Sequence, residues 1–145
     1  MKQILFLFLL ISTFTFAQNK EEIAIQKTIN QLFEGMKNAD SVVVKNVFSE
    51  NAILQTINSK SEVHSEDFRK FAKSVSNFKK GDLDEKIIFE SIKIDGNLAS
   101  VWTPYLFFFQ GKFLHCGVNS FQLVKQNEVW KIQYLIDTRR KENCQ

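Results

Sequence analysis

Two polar side chains that could do chemistry stand within an apolar run in the second half of the chain. His115 and Asn119 belong to "YLFFFQGKFLHCGVNSFQLV", residues 105–124, in which most other side chains are aromatic or aliphatic. A histidine titrates near neutral pH, so it can act as a general base or exchange hydrogen bonds with a ligand. The run is therefore either a packed core that satisfies both groups internally or the wall of a binding site.

A second polar cluster, "DTRR" at residues 137–140, lies close to the C-terminus. Arg140 could reach an anionic ligand at the rim of a cavity if the last strand continues that far. The other histidine, His64, precedes a predicted helix and is expected to be exposed. The two histidines stand apart in a chain without a Cys-x-x-Cys motif, so we expect neither a metal nor a cofactor.

The N-terminal segment has the pattern of a secretory signal peptide over residues 1–17. Lys2 precedes an apolar stretch at residues 4–16, and Thr15–Ala17 resembles a small-x-small cleavage site. The stretch is shorter than the roughly 20 apolar residues that a membrane-spanning helix needs. We therefore expect an exported protein, periplasmic or secreted, with no membrane contact after cleavage and a single domain over residues 18–145.

The charge of the chain argues against a nucleic-acid partner. The formal net charge is +3, which is a mild excess, and the basic residues do not interleave with a reading motif. The basic residues between positions 69 and 80 are interpreted as a solvated helix face.

Helical periodicity predicts three helices in the first half of the mature chain. Asp40 is expected to cap the second helix and Ser65 the third, because their side chains can accept from free backbone N–H groups. The buried face of the first helix is predicted at Ile25, Ile29, Leu32, Phe33 and Met36.

After Gly81 the apolar period changes from helical to two, which predicts strands. Short turns join four predicted strands in series, and Pro104 inside its strand indicates a bulge or an unpaired edge. A weaker strand, "NAILQTIN" at residues 51–58, precedes the third helix. The four strands span residues 84–94, 98–109, 112–124 and 129–140.

This order of elements resembles the nuclear transport factor 2-like superfamily. The resemblance is carried by "NADSVVVKNVFSENAILQT" at residues 38–56 and by "NEVWKIQYLIDTRR" at residues 127–140. It implies an α+β cone in which three N-terminal helices pack on a curved antiparallel β-sheet, with a cavity between them. The superfamily contains enzymes, small-ligand binders and association modules, so the fold alone does not decide the chemistry.

Alternation of side chains along the strands predicts the wall of this cavity. In the last strand the parity points Trp130, Ile132 and Tyr134 inward and Asp137 outward. Hairpin pairing carries the parity to the neighbouring strands, although a slip of one residue would invert it. The predicted ligand-binding residues are Trp102, Leu106, His115, Asn119, Phe121, Trp130, Tyr134 and Arg140.

The same parity places a large apolar set on the outer face of the sheet. Exposed apolar patches of this kind mark interfaces, and many members of the superfamily that this chain resembles dimerise through this face. We therefore expect a homodimer through Tyr105, Phe107, Phe109, Leu114 and Val118.

The two cysteines, Cys116 and Cys144, are predicted to form a disulfide, which an oxidising compartment permits. In the predicted register Cys116 lies opposite Arg139, so the short tail can bring the Cα atoms within the roughly 4.4–6.8 Å that a disulfide requires. The alternative is an ordinary strand cysteine and a free thiol at the terminus.

The function expected from these patterns is non-catalytic binding of a small, mostly apolar ligand in the cavity. The alternative is an enzyme of the dehydratase, isomerase or cyclase type with His115 as the general base. The predicted parity leaves no carboxylate inside the cavity to orient His115, which favours binding.

Export is tested by N-terminal sequencing of the protein isolated from its native host. We expect the mature chain to begin near Gln18, because signal peptidase cleaves after the small-x-small site. A cytosolic protein that retains Met1 would contradict the signal peptide.

Overall fold

The computed structural model describes residues 2–144 and the side chains of residues 20–144. The predicted signal peptide, residues 1–17, lies outside the residues whose side chains are described. Among the described residues, no helix is long and apolar enough to cross a bilayer. The elements are α1 (Lys2–Lys37), α2 (Ser41–Asn46), β1 (Phe48–Ile57), β2 (Val63–Glu66), α3 (Phe68–Val75), β3 (Leu83–Ile87), β4 (Ser91–Asp95), β5 (Leu98–Phe109), β6 (Lys112–Gln126) and β7 (Val129–Thr138).

The helices form where the sequence periodicity predicts them. The predicted apolar face of α1 is buried at all five positions from Ile25 to Met36. Asp40 caps α2 by accepting from the backbone N–H groups of Val42 and Val43. The predicted cap of α3 was wrong, because Asp67 accepts from the first free N–H groups while Ser65 belongs to β2.

Within residues 2–144 the seven strands form one mixed sheet, in the order β2-β1-β7-β6-β5-β3 with β4 also paired to β5. The β1 and β7 strands run parallel, so the prediction of an antiparallel sheet is only partly right. The helices are not all N-terminal to the sheet either, since α3 follows β1 and β2. The α+β class is confirmed.

The predicted strand over residues 84–94 is broken into β3 and β4. The backbone N–H groups of Ile88 and Glu90 bond the carbonyl groups of Pro104 and Trp102 across the break. The N–H and C=O groups of one residue point to the same side of an antiparallel strand. The side of Pro104 where other residues carry an N–H group therefore faces this interrupted edge. A proline within a sheet is expected in such a place, because the missing donor costs no hydrogen bond there.

A bulge at Leu114 inverts the predicted faces of β5. The Gln110–Gly111 turn forms as expected, but the pairing then passes from Phe108–Phe113 to Phe107–His115 and skips Leu114. Beyond the bulge each β5 residue therefore pairs one position away from its predicted partner. Tyr105, Phe107 and Phe109 face the helices, and their assignment to the outer face was wrong.

A second bulge at Gln133 changes the face of β7. The pairing passes from Leu123–Ile132 to Gln122–Tyr134. As a result Leu135 and Asp137 are buried on the inner side, whereas Tyr134 turns outward. The predicted outward direction of Asp137 was therefore wrong. Leu135, which breaks the alternation in the sequence, marks the bulge.

The core lies between α1 and the inner face of the sheet. Phe121, Leu123 and Ile132 are fully buried there against Ile29. The rings of Phe33 and Phe121 meet edge to face with centroids 6.3 Å apart, a favourable aromatic geometry. This packing holds the helices on the sheet and leaves a cavity beyond it.

Candidate functional site

A cavity of about 280 Å³ lies between the inner face of the sheet and the helices α1 and α3. Most of the lining side chains are apolar, and the polar ones come mainly from β1, β3, β5, β6 and β7. The apolar members are Leu32, Phe33, Met36, Leu54, Phe71, Val75, Phe78, Leu83, Phe107 and Leu135, and the polar members are Thr56, Glu66, Ser74, Glu85, Tyr105, His115, Asn119, Asp137 and Arg139.

Two of the predicted ligand-binding residues, His115 and Asn119, line this cavity. Phe121 and Trp130 face inward as predicted, but they are 0% and 2% exposed and belong to the packed core. The indole N–H of Trp130 donates to Glu21 Oε2 at 2.7 Å. Arg140 lies outside the cavity and lines a second hollow.

Three predicted wall residues, Trp102, Leu106 and Tyr134, lie on the outer face of the sheet. Trp102 is 44% exposed, and the Tyr134 hydroxyl donates to Gln55 Oε1 at 2.8 Å. The two bulges explain these errors, because each moves the residues beyond it to the opposite face.

His115 is held by the hydroxyl group of Tyr105. The distance from Tyr105 Oη to His115 Nδ1 is 3.1 Å, and the same hydroxyl lies 2.9 Å from the carbonyl oxygen of Thr138. The hydroxyl proton can go to that carbonyl or to Asp137 Oδ2, 3.2 Å away, and either choice leaves the tyrosine oxygen to accept from an Nδ1–H. In this arrangement His115 keeps an unprotonated Nε2 that can accept a proton or a hydrogen bond.

The surroundings favour the neutral form of His115. Burial lowers the pKa of His115, and the nearby guanidinium of Arg139 lowers it further. The ring also stacks on Phe107, with centroids 5.0 Å apart and planes 25° apart. A neutral, oriented imidazole suits recognition of a ligand hydroxyl or N–H group.

Asp137 connects the tyrosine to Arg139. Its Oδ1 atom accepts from Thr56 Oγ1 at 2.6 Å, and its Oδ2 atom accepts from Arg139 Nε at 3.0 Å. The Tyr105 hydroxyl also lies 3.2 Å from Oδ2. Desolvation raises the pKa of Tyr105, and the charge of Asp137 adds to the effect, so the phenol stays protonated.

Gly117 makes room for this tyrosine. A Cβ atom at this position would lie 1.8 Å from the carbonyl oxygen of Thr138 and 2.9 Å from the Tyr105 ring. Because glycine has no side chain, the end of β7 and the ring can both approach β6.

Glu85 is an acid of the cavity wall that the sequence reasoning missed. Its Oε1 atom accepts from Asn119 Nδ2 at 2.8 Å. Desolvation raises the pKa of Glu85 to about 8, against the lowering effect of the bond from Asn119. The side chain is half-buried. With a pKa of about 8 the carboxyl group is mostly protonated at neutral pH, and in this form it can donate a hydrogen bond. The alternation of Leu83, Glu85 and Ile87 was the available signal, but only the pairing with β5 shows which face is inner.

No group of three or more histidine, cysteine or acidic residues among the described residues is placed to hold a metal ion. The polar groups of the cavity wall offer hydrogen bonds: an acceptor at His115, a donor at Glu85 and the amide of Asn119. Such a set, at one part of a mostly apolar cavity, fixes the orientation of a small organic molecule.

Comparison with solved structures shows the class of fold. A nuclear transport factor 2-like protein of unknown function from Shewanella baltica superposes with a TM-score of 0.70 at 20% identity, covering 85% of this chain and 96% of that chain. A similar protein of unknown function from Silicibacter pomeroyi gives 0.70 at 12% identity, covering 85% and 98%. A protein of unknown function from Mycobacterium tuberculosis gives 0.69 at 16% identity, covering 87% and 75%. The resemblance to nuclear transport factor 2-like proteins is confirmed.

The family follows from the sequence match. The family model described as "Putative lumazine-binding" matches residues 20–134, which is most of the chain. The chain therefore belongs to this lumazine-binding-like family. No curated protein matches the chain in sequence.

The raised pKa of Glu85 predicts a pH-dependent stability. Between the ordinary value of 4.5 and about 8, the folded protein holds a proton that the unfolded chain has lost, so the contribution of Glu85 falls as pH rises through this window. Glu85→Gln keeps the acceptor for Asn119 and removes the ionisation. We expect this variant to be roughly 1–2 kcal/mol more stable than the wild type at pH 8, with little difference at pH 5.

Urea denaturation of both proteins at pH 5, 6.5 and 8 measures this difference. Glu66→Gln is the matched control, because Glu66 also borders the cavity but is exposed. Its free energy of unfolding should change with pH in the same way as that of the wild type. Identical pH profiles for the wild type and Glu85→Gln would show that Glu85 is ionised in the folded protein at neutral pH.

Proposed function

We propose that this protein binds a small, mostly apolar ligand in the cavity between the sheet and the helices. The observation that carries the proposal is the cavity itself, which holds about 280 Å³ behind an apolar wall with several convergent polar groups. Ligand pockets commonly hold about 300–1,000 Å³, so the cavity suits a molecule at the small end of that range.

The polar groups indicate what the ligand offers. The protonated carboxyl of Glu85, the Asn119 amide and His115 Nε2 supply both donors and acceptors, while Phe33, Phe71 and Phe107 supply aromatic surface. These features suit a flat molecule with a hydrogen-bonding edge. The description of the family names lumazine, a planar heterocycle with such an edge, which supports this class of ligand.

A proton-transfer enzyme with His115 as the general base is the second candidate. The observation that favours it is the chain of hydrogen bonds from His115 through Tyr105 to Asp137. The sequence argued against catalysis because it predicted no inward carboxylate, and Asp137 is such a carboxylate. However, the hydrogen bond of His115 goes to a phenol rather than directly to a carboxylate, and Asp137 is engaged by Thr56 and Arg139. Binding without chemistry therefore remains our preferred function. Exchange of deuterium from solvent into a bound carbonyl compound, lost in His115→Ala, would favour the enzyme.

We further propose that the protein acts after export, as residues 1–17 suggest, and as a homodimer. The outer face of the sheet carries an apolar patch, although its members differ from those predicted. The outer patch consists of Trp102, Leu106, Val118, Tyr134 and Ile136, all half-buried or exposed. A second copy of the chain would remove this surface from water.

Filling the cavity tests the proposed function. Ser74 lines the cavity from α3, so Ser74→Trp should occupy the space and lower the affinity for lumazine at least about tenfold, equivalent to about 1.4 kcal/mol. Fluorescence titration with lumazine measures the loss. Lys73→Trp is the control, since the neighbouring Lys73 is exposed on the same helix, and it should bind like the wild type.

Native mass spectrometry of protein purified from its own host complements this titration. A retained small molecule, lost in Ser74→Trp, would support the proposal. A wild-type protein that retains nothing and binds no lumazine would contradict it.

The dimer is tested by Trp102→Glu, which places a charge in the centre of the outer patch. Sedimentation should give a dimer for the wild type and a monomer for the variant at micromolar concentration, because burying an unpaired carboxylate is costly. Lys93→Glu, on the exposed edge strand β4, should leave the dimer intact. A monomeric wild type would rule out the association.

A further inference from the structure

A second hollow of about 530 Å³ adjoins the cavity on the C-terminal side of the sheet. His115 and Arg139 line both spaces, so the cavity and the outer hollow meet at these two residues. The remaining members of this outer hollow come from the β1–β2 turn, the β6 bulge and the C-terminal tail: Asn58, Ser59, Leu114, Arg140, Lys141 and Glu142.

The outer hollow is rich in positive charge. Arg139, Arg140 and Lys141 follow one another along its wall, and Glu142 is the acid among the lining residues. Arg139 is paired with Asp137. Arg140 donates to the carbonyl oxygen of Asn143, and no ion pair of Arg140 or Lys141 is formed within the part of the chain described here. Their charges are therefore available to an anion.

The tail that carries these charges is held at two points. The backbone of Arg140 exchanges two hydrogen bonds with that of Cys116, at 2.8 and 2.9 Å. A disulfide joins Cys116 to Cys144, with the Cα atoms 5.8 Å apart. Arg140, Lys141 and Glu142 lie at or between these anchors, so the cationic wall has a defined place before any ligand arrives. Such preorganisation lowers the entropic cost of binding.

We propose that the outer hollow binds the anionic group of a ligand whose apolar part occupies the cavity, and that the disulfide holds its cationic wall in place. The ligand class is an aromatic or aliphatic body with a terminal carboxylate or phosphate. This inference rests on the proposed function and adds a direction to it, with the apolar part inside and the anion at the Arg140–Lys141 end. Arginine and lysine both suit such anions, arginine by a two-pronged contact and lysine as a point charge.

Paired probes separate the inference from the proposed function. The first probe is 6-phenylhexanoate and the second is its uncharged amide, 6-phenylhexanamide, each titrated by calorimetry at low salt. We expect the wild type to bind the carboxylate about tenfold more tightly than the amide. The difference should shrink as salt is added, because the charges are exposed to screening.

Substitution of the tail locates the preference. Arg140→Ala/Lys141→Ala should bind the two probes equally and keep the affinity of the wild type for the amide. Lys79→Ala/Lys80→Ala, which removes two exposed charges outside the hollow, should keep the preference. Cys116→Ala/Cys144→Ala should lose most of the preference while still binding the amide.

Each failure has a separate meaning. Equal affinity of the wild type for both probes would overturn the inference and leave the proposed function standing. Binding of neither probe would also overturn the inference, and the proposed function would then be decided by the lumazine titration. A preference that survives Arg140→Ala/Lys141→Ala would place the anion elsewhere and overturn the inference. A preference that survives the cysteine substitutions would overturn the role of the disulfide.

Discussion

The register of β6 against its two neighbouring strands decides which side chains reach the cavity. One extra residue in each pairing, Leu114 towards β5 and Gln133 towards β6, exchanges the faces beyond it. Tyr105 and Asp137 are thereby brought to the wall that already carries His115. With regular pairing, Leu106 rather than Phe107 would lie opposite this histidine, and Tyr105 would lie on the other face of the sheet.

Taking the polar groups of the cavity out of water costs free energy, and close packing of the core does not require these groups. A carboxyl group taken out of water is destabilised in its charged form, and the raised pKa of Glu85 is the sign of that cost. The side-chain amide of Asn119 donates a hydrogen bond to this carboxyl group. Apolar side chains of similar volume would be at least as stable in such a place. Stability alone does not explain these groups, whereas the proposed ligand would use them for hydrogen bonding.

The charge of the site changes from the inner cavity to the outer hollow. The inner cavity is mostly apolar, and its polar wall includes the acids Glu66, Glu85 and Asp137, whereas the outer hollow is cationic. Arg139 stands at the boundary and is neutralised by Asp137 on its inner side. A fold alone does not decide function, so the proposed ligand class rests on this distribution of charge rather than on the fold.

Local features were predictable from the sequence because local interactions decide them. The buried face of α1 follows from the spacing of its apolar residues, the start of α2 from the capping carboxylate of Asp40, and the hairpins from their short turns. The position of His115 and Asn119 on the inner face also followed, since the Gln126–Val129 pairing sets the parity of that part of β6.

The remainder of the site was decided by long-range packing. The parallel pairing of β1 with β7 joins segments at opposite ends of the domain, and the sequence contains no local signal for it. The bulges have a weak signal, such as Leu135 breaking the alternation of β7. Which residue is skipped, however, depends on how well both faces then pack against the helices and the neighbouring strands. For this reason the sequence by itself determined the class of fold, the apolar face of α1 that borders the cavity, and two of the predicted ligand-binding residues, His115 and Asn119. Glu85, Tyr105 and Asp137 could be assigned to the cavity wall only from the assembled strands.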